Sequence, residues 1–310
     1  MFTKIYSTSL ILLGFVFYGP VRECLADAPT HSIDTIAEGL SAAEAQFTDL
    51  RIDYMTSRRN WREPNNQYYR TQCLYAHKII QTQGKNNRLR YIHLKTSLVD
   101  PNAKSTELLE DTLTSFDGEK TVWVYKRKED GQLMKGFEGV IFSGYVSKYF
   151  SSFNIDPHRK IWYFAEKPIG ELLRKYKDTF QIVNENEMIN DIPTVKLVGQ
   201  ISDGKVTMTL WVSPERNFLP MKTQLAKTGG EKLIMGTILL DLIKLPNGLW
   251  YPKKIQSPEV PLTDPAPEYF LIYEITKIST EPISEKFFIP EFPPNTHVFD
   301  DILKVSYTTH

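Results

Sequence analysis

Along most of the chain the apolar positions recur at every second residue. In KVTMTLWV, Val206, Met208, Leu210 and Val212 alternate with Thr207, Thr209 and Trp211; in FTDLRIDYM, Leu50, Ile52 and Tyr54 alternate with Arg51, Asp53 and Met55. A period of two sends alternate side chains to opposite faces of a pleated strand. Strands are predicted over 68–82, 87–95 and 112–126, then through VKLVGQI, KVTMTLWV, LPMKTQLA, EKLIMGTILLDLIKL, LWYPKKIQ and EYFLIYEITKI. Between them lie Asp117-Gly118, Asp203-Gly204, Ser213-Pro214 and Pro246-Asn247-Gly248, residues suited to the φ values of tight turns. Short strands joined by such turns indicate an antiparallel meander.

Two segments carry the helical period instead. Ile33, Ile36, Leu40 and Ala43 recur at three- and four-residue spacing behind Ser32, a residue suited to capping a helix. PIGELLRKYKDTF (168–180) places Leu172, Leu173 and Tyr176 on one side. The apolar stretch FEGVIFSGYVSKYFSSF (137–153) reads as a helix or a loop lying over the sheet, and 97–110 as an exposed insertion or short helix. The end of the chain, KFFIPEFPPNTHVFDD, has too much proline for regular structure and is expected to wrap the fold. Strand 233–245 is apolar on both faces, through Leu233, Met235 and Leu239 on one and Ile234, Ile238, Leu240 and Leu242 on the other. A sheet with one face in water does not read that way, so something covers its second face.

The first residues break the alternation. Lys4 precedes SLILLGFVFYG, and VRECLADA follows, which is the order of a secretory signal peptide. The apolar stretch is too short for a comfortable membrane span, and cleavage after Ala26 is expected. Val21-Arg22-Glu23 before Cys24 make a poor lipoprotein signal. The mature chain, 27–310, would keep Cys73 as its one thiol and so no internal disulfide. Such a thiol reads as a small buried hydrophobe. Lys+Arg and Asp+Glu both number 37, and this balance offers no basic surplus for nucleic acid.

A catalytic constellation does not assemble. His31, His77, His93, His158, His297 and His310 form no HExxH and no close pair with a carboxylate at ligand spacing. His77 and His93 lie in adjacent strands and would need a third ligand to hold a metal. No G-x-S-x-G or glycine-rich phosphate loop occurs. Glu185 and Glu187 would suit paired-carboxylate chemistry, but a solvated turn between helix and strand explains them more simply. The reading is therefore not an enzyme, with no cofactor and no metal.

Three motifs together resemble the LolA family, periplasmic carriers of outer-membrane lipoproteins. Asp117-Gly118 before Trp123 and Tyr125 is similar to that family's "DG…W.Y" hairpin, and KNNRLRY (85–91) to the basic strand before it. LWVSPERNFLPMK (210–222) resembles its later hairpin, with Ser213 in place of the usual Asp and one more residue between Pro214 and Pro220. The resemblance spans most of 33–275 and implies a mainly β (α+β) fold. Its elements would be a strongly curved antiparallel sheet, or incomplete β-barrel, and a few helices covering an apolar concavity. One domain over 27–310 is expected, longer than a minimal carrier, with insertions near 97–110 and 126–170 and a proline-rich tail over 286–310. The resemblance further implies a soluble periplasmic monomer that binds lipoprotein acyl chains or a similar lipid, under a lid formed by the two helices. Trp123, Tyr125, Leu197, Met208, Leu210, Tyr269, Leu271 and Tyr273 are the candidates to line the cavity. An uncharged cavity suits acyl chains because each buried methylene contributes about 0.8 kcal/mol without directional contacts. The alternative on the same fold is a sensor or interaction module whose partner is another envelope protein; a hydrolase comes third.

Overall fold

The computed structural model describes residues 30–60, 67–81, 88–99, 108–129, 132–133, 136–146, 156–164, 167–230, 233–259 and 269–310. The expected signal peptide and the 100–107 part of the first insertion lie outside these residues. Helix α1 (Ile33–Ala45) opens the described chain, and the Ser32 side chain accepts from the backbone N–H of Thr35 as a cap. Strands β1 (Asp49–Asn60), β2 (Gln67–Gln81), β3 (Arg88–Val99), β4 (Leu108–Phe116) and β5 (Lys120–Glu129) follow, with β6 (Gln132–Leu133) a short pairing on β5. Then come β7 (Phe137–Ser143), helix α2 (Pro157–Trp162), the two-residue strands β8 (Tyr163–Phe164) and β9 (Lys167–Pro168), and helix α3 (Ile169–Lys175). The second half is a meander of β10 (Gln181–Ile189), β11 (Ile192–Ile201), β12 (Val206–Ser213), β13 (Leu219–Lys227), β14 (Leu233–Lys244), β15 (Trp250–Glu259) and β16 (Tyr269–Ser279). It is followed by a terminal hairpin, β17 (Thr296–Asp300) and β18 (Val305–Thr308).

All but β8 and β9 belong to one sheet. Its order runs from β10 through β16 in sequence, then β1 to β5, and ends β7-β17-β18. The join that makes it one sheet is β1, which pairs β16 on one side and β2 on the other. The pairing is antiparallel throughout except where β17 runs parallel to β7. The sheet is open: it ends in β10 and β18 and does not close into a barrel.

One face of this sheet is hollow and carries the core. Helices α1 and α3 lie over it, and Ile36, Ala37, Leu40, Ala43, Ile169 and Leu173 join Leu50, Ile52, Tyr54, Leu239, Tyr251 and Ile255 in one buried cluster. The two helices approach closely because position 170 is glycine. A Cβ there would lie 2.3 Å from Ser41 Oγ and 2.8 Å from Ala37 O.

Several elements differ from the sequence reading, each for a physical reason. Residues 137–143 are the strand β7, not a helix or loop, because GVIF supplies alternating β-branched and aromatic residues and its neighbour β5 offers a free edge. The tail is regular beyond Pro294, its last proline, where THVFD and VSYT regain alternation and form β17 and β18. Glu185 and Glu187 lie within β10 rather than in a turn.

The opposite face of the sheet is covered by the residues ahead of β17. Ser115 Oγ donates to Phe288 O at 2.7 Å, and Phe288 is wholly buried. Lys78 Nζ donates to Ile283 O, and Asp49 accepts from the Ile283 N–H. The Phe292 ring sits over Gly139. This second layer buries Val122 and Val124, so β5 is apolar on both faces. In β14 the outcome is mixed: Leu239 is in the core, Ile238, Leu240 and Leu242 are half-buried, and Met235 is 38% exposed.

Candidate functional site: the hollow face of the sheet

Strand register decides which side chains share the hollow. Ile52 lies opposite Tyr75, Tyr75 opposite Leu94, Leu94 opposite Thr114, Thr114 opposite Trp123, Trp123 opposite Val140 and Val140 opposite Phe299. Directly opposed residues of paired strands point to one face. Since Ile52 and Tyr75 are in the core, Trp123 is on the hollow face. Tyr125 follows two residues later, opposite Glu138.

The hollow has two regions. Over β10–β16 and β1 it is filled by the helices. Leu197, Met208, Leu210, Leu271 and Tyr273 all lie there, between 0% and 7% exposed, within the main core. Leu197 is directly opposite Leu210, and Phe180 rests on Gly199 beside Met208. Tyr273 faces Tyr54 with ring centroids 6.3 Å apart. The backbone of Tyr269 pairs with Asn60 and Glu259; its side chain lies outside the described ones.

Over β5 and β7 the hollow face is less deeply covered. Trp123 and Tyr125 are half-buried and stacked, with centroids 4.2 Å apart and planes 21° apart. The Tyr125 hydroxyl donates to the Glu138 carboxylate. Val140 and Phe142 beside them are also half-buried, and Phe299 at the end of the row is 39% exposed. Of the eight residues singled out, these two aromatics are therefore set apart from the buried five.

Sequence reasoning missed a polar cluster where the helices meet the sheet. Glu44, on the buried stripe of α1, is 3% exposed and accepts from the Tyr163 hydroxyl at 2.7 Å. His158 of α2, wholly buried, places Nε2 3.9 Å from Glu44 Oε1. His77 of β2, also wholly buried, has Nε2 2.6 Å from Phe47 O and Nδ1 3.0 Å from the Tyr75 hydroxyl. A carbonyl only accepts, so Nε2 carries the proton and Nδ1 accepts from Tyr75. The pairing of His77 with His93 does not form: register sets His93 opposite Ala76, and the ring that meets His77 is His158. The one signal available was Glu44 itself, a carboxylate four residues after Leu40 on the apolar face of a helix.

Other candidates resolve into structural roles. Glu185 accepts from the Thr30 and His31 N–H groups and the Thr30 hydroxyl, which hold its carboxyl below the usual range. Glu187 accepts from Trp211 Nε1 at 2.8 Å and pairs with Lys196 at 3.0 Å, bonds that lower it too. Cys73 is buried, and burial pushes its thiol up to about 12 against the pull of hydrogen bonds with Tyr54 and Thr56. A cavity of about 330 Å³ lies along β1, β2 and β16, lined by Asp53, Tyr54, Met55, Gln72, Cys73, Leu74 and Thr276. Among the described residues no three His, Cys, Asp or Glu side chains converge as a metal site would need. No helix among them is long and apolar enough to cross a membrane.

A solved structure has the same overall arrangement. A DUF1329 family protein from Desulfovibrio piger ATCC 29098 superposes with a TM-score of 0.50 at 11% identity, over 83% of this chain and 98% of that one. The two chains share a fold. Looser likenesses are to a domain described as an outer membrane lipoprotein-sorting protein from Vibrio parahaemolyticus (TM-score 0.41, 12% identity, 82% and 95% covered) and to the MucA/MucB complex of Pseudomonas aeruginosa (0.26, 10%, 80% and 99%). At those scores they carry no argument about this chain. No family model matches the sequence, and no curated protein does.

Proposed function

We propose that the protein is an exported, non-catalytic carrier that binds acyl chains, those of lipoproteins or of a similar lipid, on the hollow face over β5 and β7. The observation that carries this reading is the half-buried Trp123–Tyr125 stack continuing into Val140, Phe142 and Phe299. A soluble protein covers most of its aromatic surface, and an apolar strip in a concave sheet supplies the non-directional burial that a flexible chain needs. Envelope location and lipoprotein cargo come from the N-terminal pattern and from the hairpin motifs shared with lipoprotein carriers. The filled region under α1 and α3 serves as the rigid floor of the site, and the open strip serves as the surface that exchanges ligand.

The test is uptake of a dansyl-labelled fatty acid by the natural protein. Saturable binding is expected, weakened about tenfold or more by Trp123→Ser or Tyr125→Ser. Removing one buried aromatic from an apolar site forfeits roughly 1.5–3 kcal/mol. Absence of binding, or binding unchanged in both folded variants, would overturn the proposal.

A further inference from the structure

The two edges of the open sheet are built differently. An edge strand exposes a row of backbone N–H and C=O groups, and proteins blunt such edges with charges, bulges or a covering segment. Edge β10 has all three. Its register on β11 breaks between Ile182 and Asn184 and again between Asn184 and Glu187. It carries Glu185 and Glu187, and the Glu185 carboxylate holds the Thr30–His31 segment against it.

Among the described residues, edge β18 has none of them. Its register on β17 is unbroken from Asp300–Val305 to His297–Thr308. Val305-Ser306-Tyr307-Thr308 contains no charge, proline or glycine, and all four residues are exposed, Val305 at 46% and Tyr307 at 42%. The neighbouring turn consumes its own charges. Asp300 Oδ1 accepts from the N–H groups of Ile302 and Leu303, and Asp301 pairs with Lys304 at 2.7 Å. Ile302 and Leu303 are left 41% and 68% exposed.

The direction of the free backbone groups follows from the next residue. Thr309 turns both its groups toward β17: its N–H donates to Thr296 O and its C=O accepts from Asn295 N–H. Peptide groups alternate along a strand, so Ser306 and Thr308 direct theirs to the open side.

The geometry points to a second copy of this chain as the occupant of that edge, paired antiparallel through a two-fold axis at Ser306. Val305, Ser306 and Tyr307 are self-complementary in that arrangement, and Thr308 lies opposite Lys304 of the second copy. The two Ser306 residues exchange N–H···O bonds across the axis, and each Val305 lies opposite Tyr307 of the second copy on the same face. The hydroxyl-bearing Ser306 and Thr308 share the other face. The sheet then continues across the dimer with both hollow faces clear of the contact. Only three strand residues a side pair with one another, against roughly 20–30 residues in a standard interface, so the dimer is reversible. The alternative to it is the monomer expected from the sequence.

Sedimentation of the full mature chain over a wide concentration range tests this. Concentration-dependent dimer is expected, and Tyr307→Asp is expected to abolish it with the thermal melt unchanged. A second variant guards against misfolding of the first. Ser306→Cys brings two thiols together at the axis and should give a disulfide-linked dimer under mild oxidation, while Thr276→Cys, exposed on β16, should not. A monomer at every concentration with no preferential Ser306→Cys cross-link would overturn the proposal. So would a dimer indifferent to Tyr307→Asp, or a Ser306→Cys cross-link only to a different protein.

Discussion

His77 and His158 meet edge to face inside the protein, with ring centroids 4.8 Å apart and planes at 68°. One ring stands on the sheet and the other on a helix of the cover, and Glu44 of α1 lies beside the second. The cover is thus joined to the hollow face by polar groups as well as by apolar packing. Removing one partner of a buried hydrogen bond costs more than the bond contributes, because the other partner stays desolvated. Glu44→Ala should therefore destabilise by about 1–3 kcal/mol, because it removes the acceptor of the part-buried Tyr163 hydroxyl. Glu44→Gln, which keeps an acceptor, should cost less. Urea unfolding of the two variants, with Tyr163→Phe and the double mutant, measures the coupling directly.

The free cysteine gives a probe of the whole β1–β2 region. Burial lifts the Cys73 thiol from 9.0 to about 12, and only a thiolate attacks a disulfide reagent. At pH 8 the folded protein should not react measurably with Ellman's reagent, and the denatured protein should react with one thiol per mature chain. For stability the sign is negative with rising pH. A raised folded value favours the neutral thiol, so the contribution is whole below 9 and is lost between 9 and about 12.

Glycine at 139 is a matter of space. A Cβ there would lie 2.5 Å from Phe292 Cε1. Gly139→Ala should lower the melting temperature, and Phe292→Ala in the same chain should recover part of the loss. If the double variant is no better than the sum of the singles, the ring is not what limits this position.

Glu187 supplies an acid-sensitive contact on the outer face. Its carboxyl is held below 4.5, first by the Trp211 indole N–H and then by Lys196. A depressed folded value stabilises above the unfolded one and loses that contribution as pH falls through the folded one. The difference in melting temperature between the natural protein and Glu187→Gln should be constant near neutrality and shrink below about pH 4.5. A difference that persists at the lowest pH would assign the effect to packing around Trp211.

Much of the architecture was legible along the chain. The alternation of Val206, Met208, Leu210 and Val212, the Asp-Gly turns and the Ser32-capped helix are properties of neighbouring residues, and each became the element expected. Three matters were not legible, and all depend on residues distant in sequence. Whether Trp123 or Val122 faces the hollow was undecidable because both are apolar; the register chain from Ile52 through Tyr75 and Thr114 decides it. Whether Leu197, Met208 and Leu210 line a cavity or fill a core depends on where α1 and α3 lie, and packing places them in the core. His158 has no neighbour in sequence that explains it, and only the fold brings it to Glu44 and His77. Periodicity reports the two faces of each strand; which face is inside, and what lies on it, is settled by pairing and packing between strands that the chain alone keeps far apart.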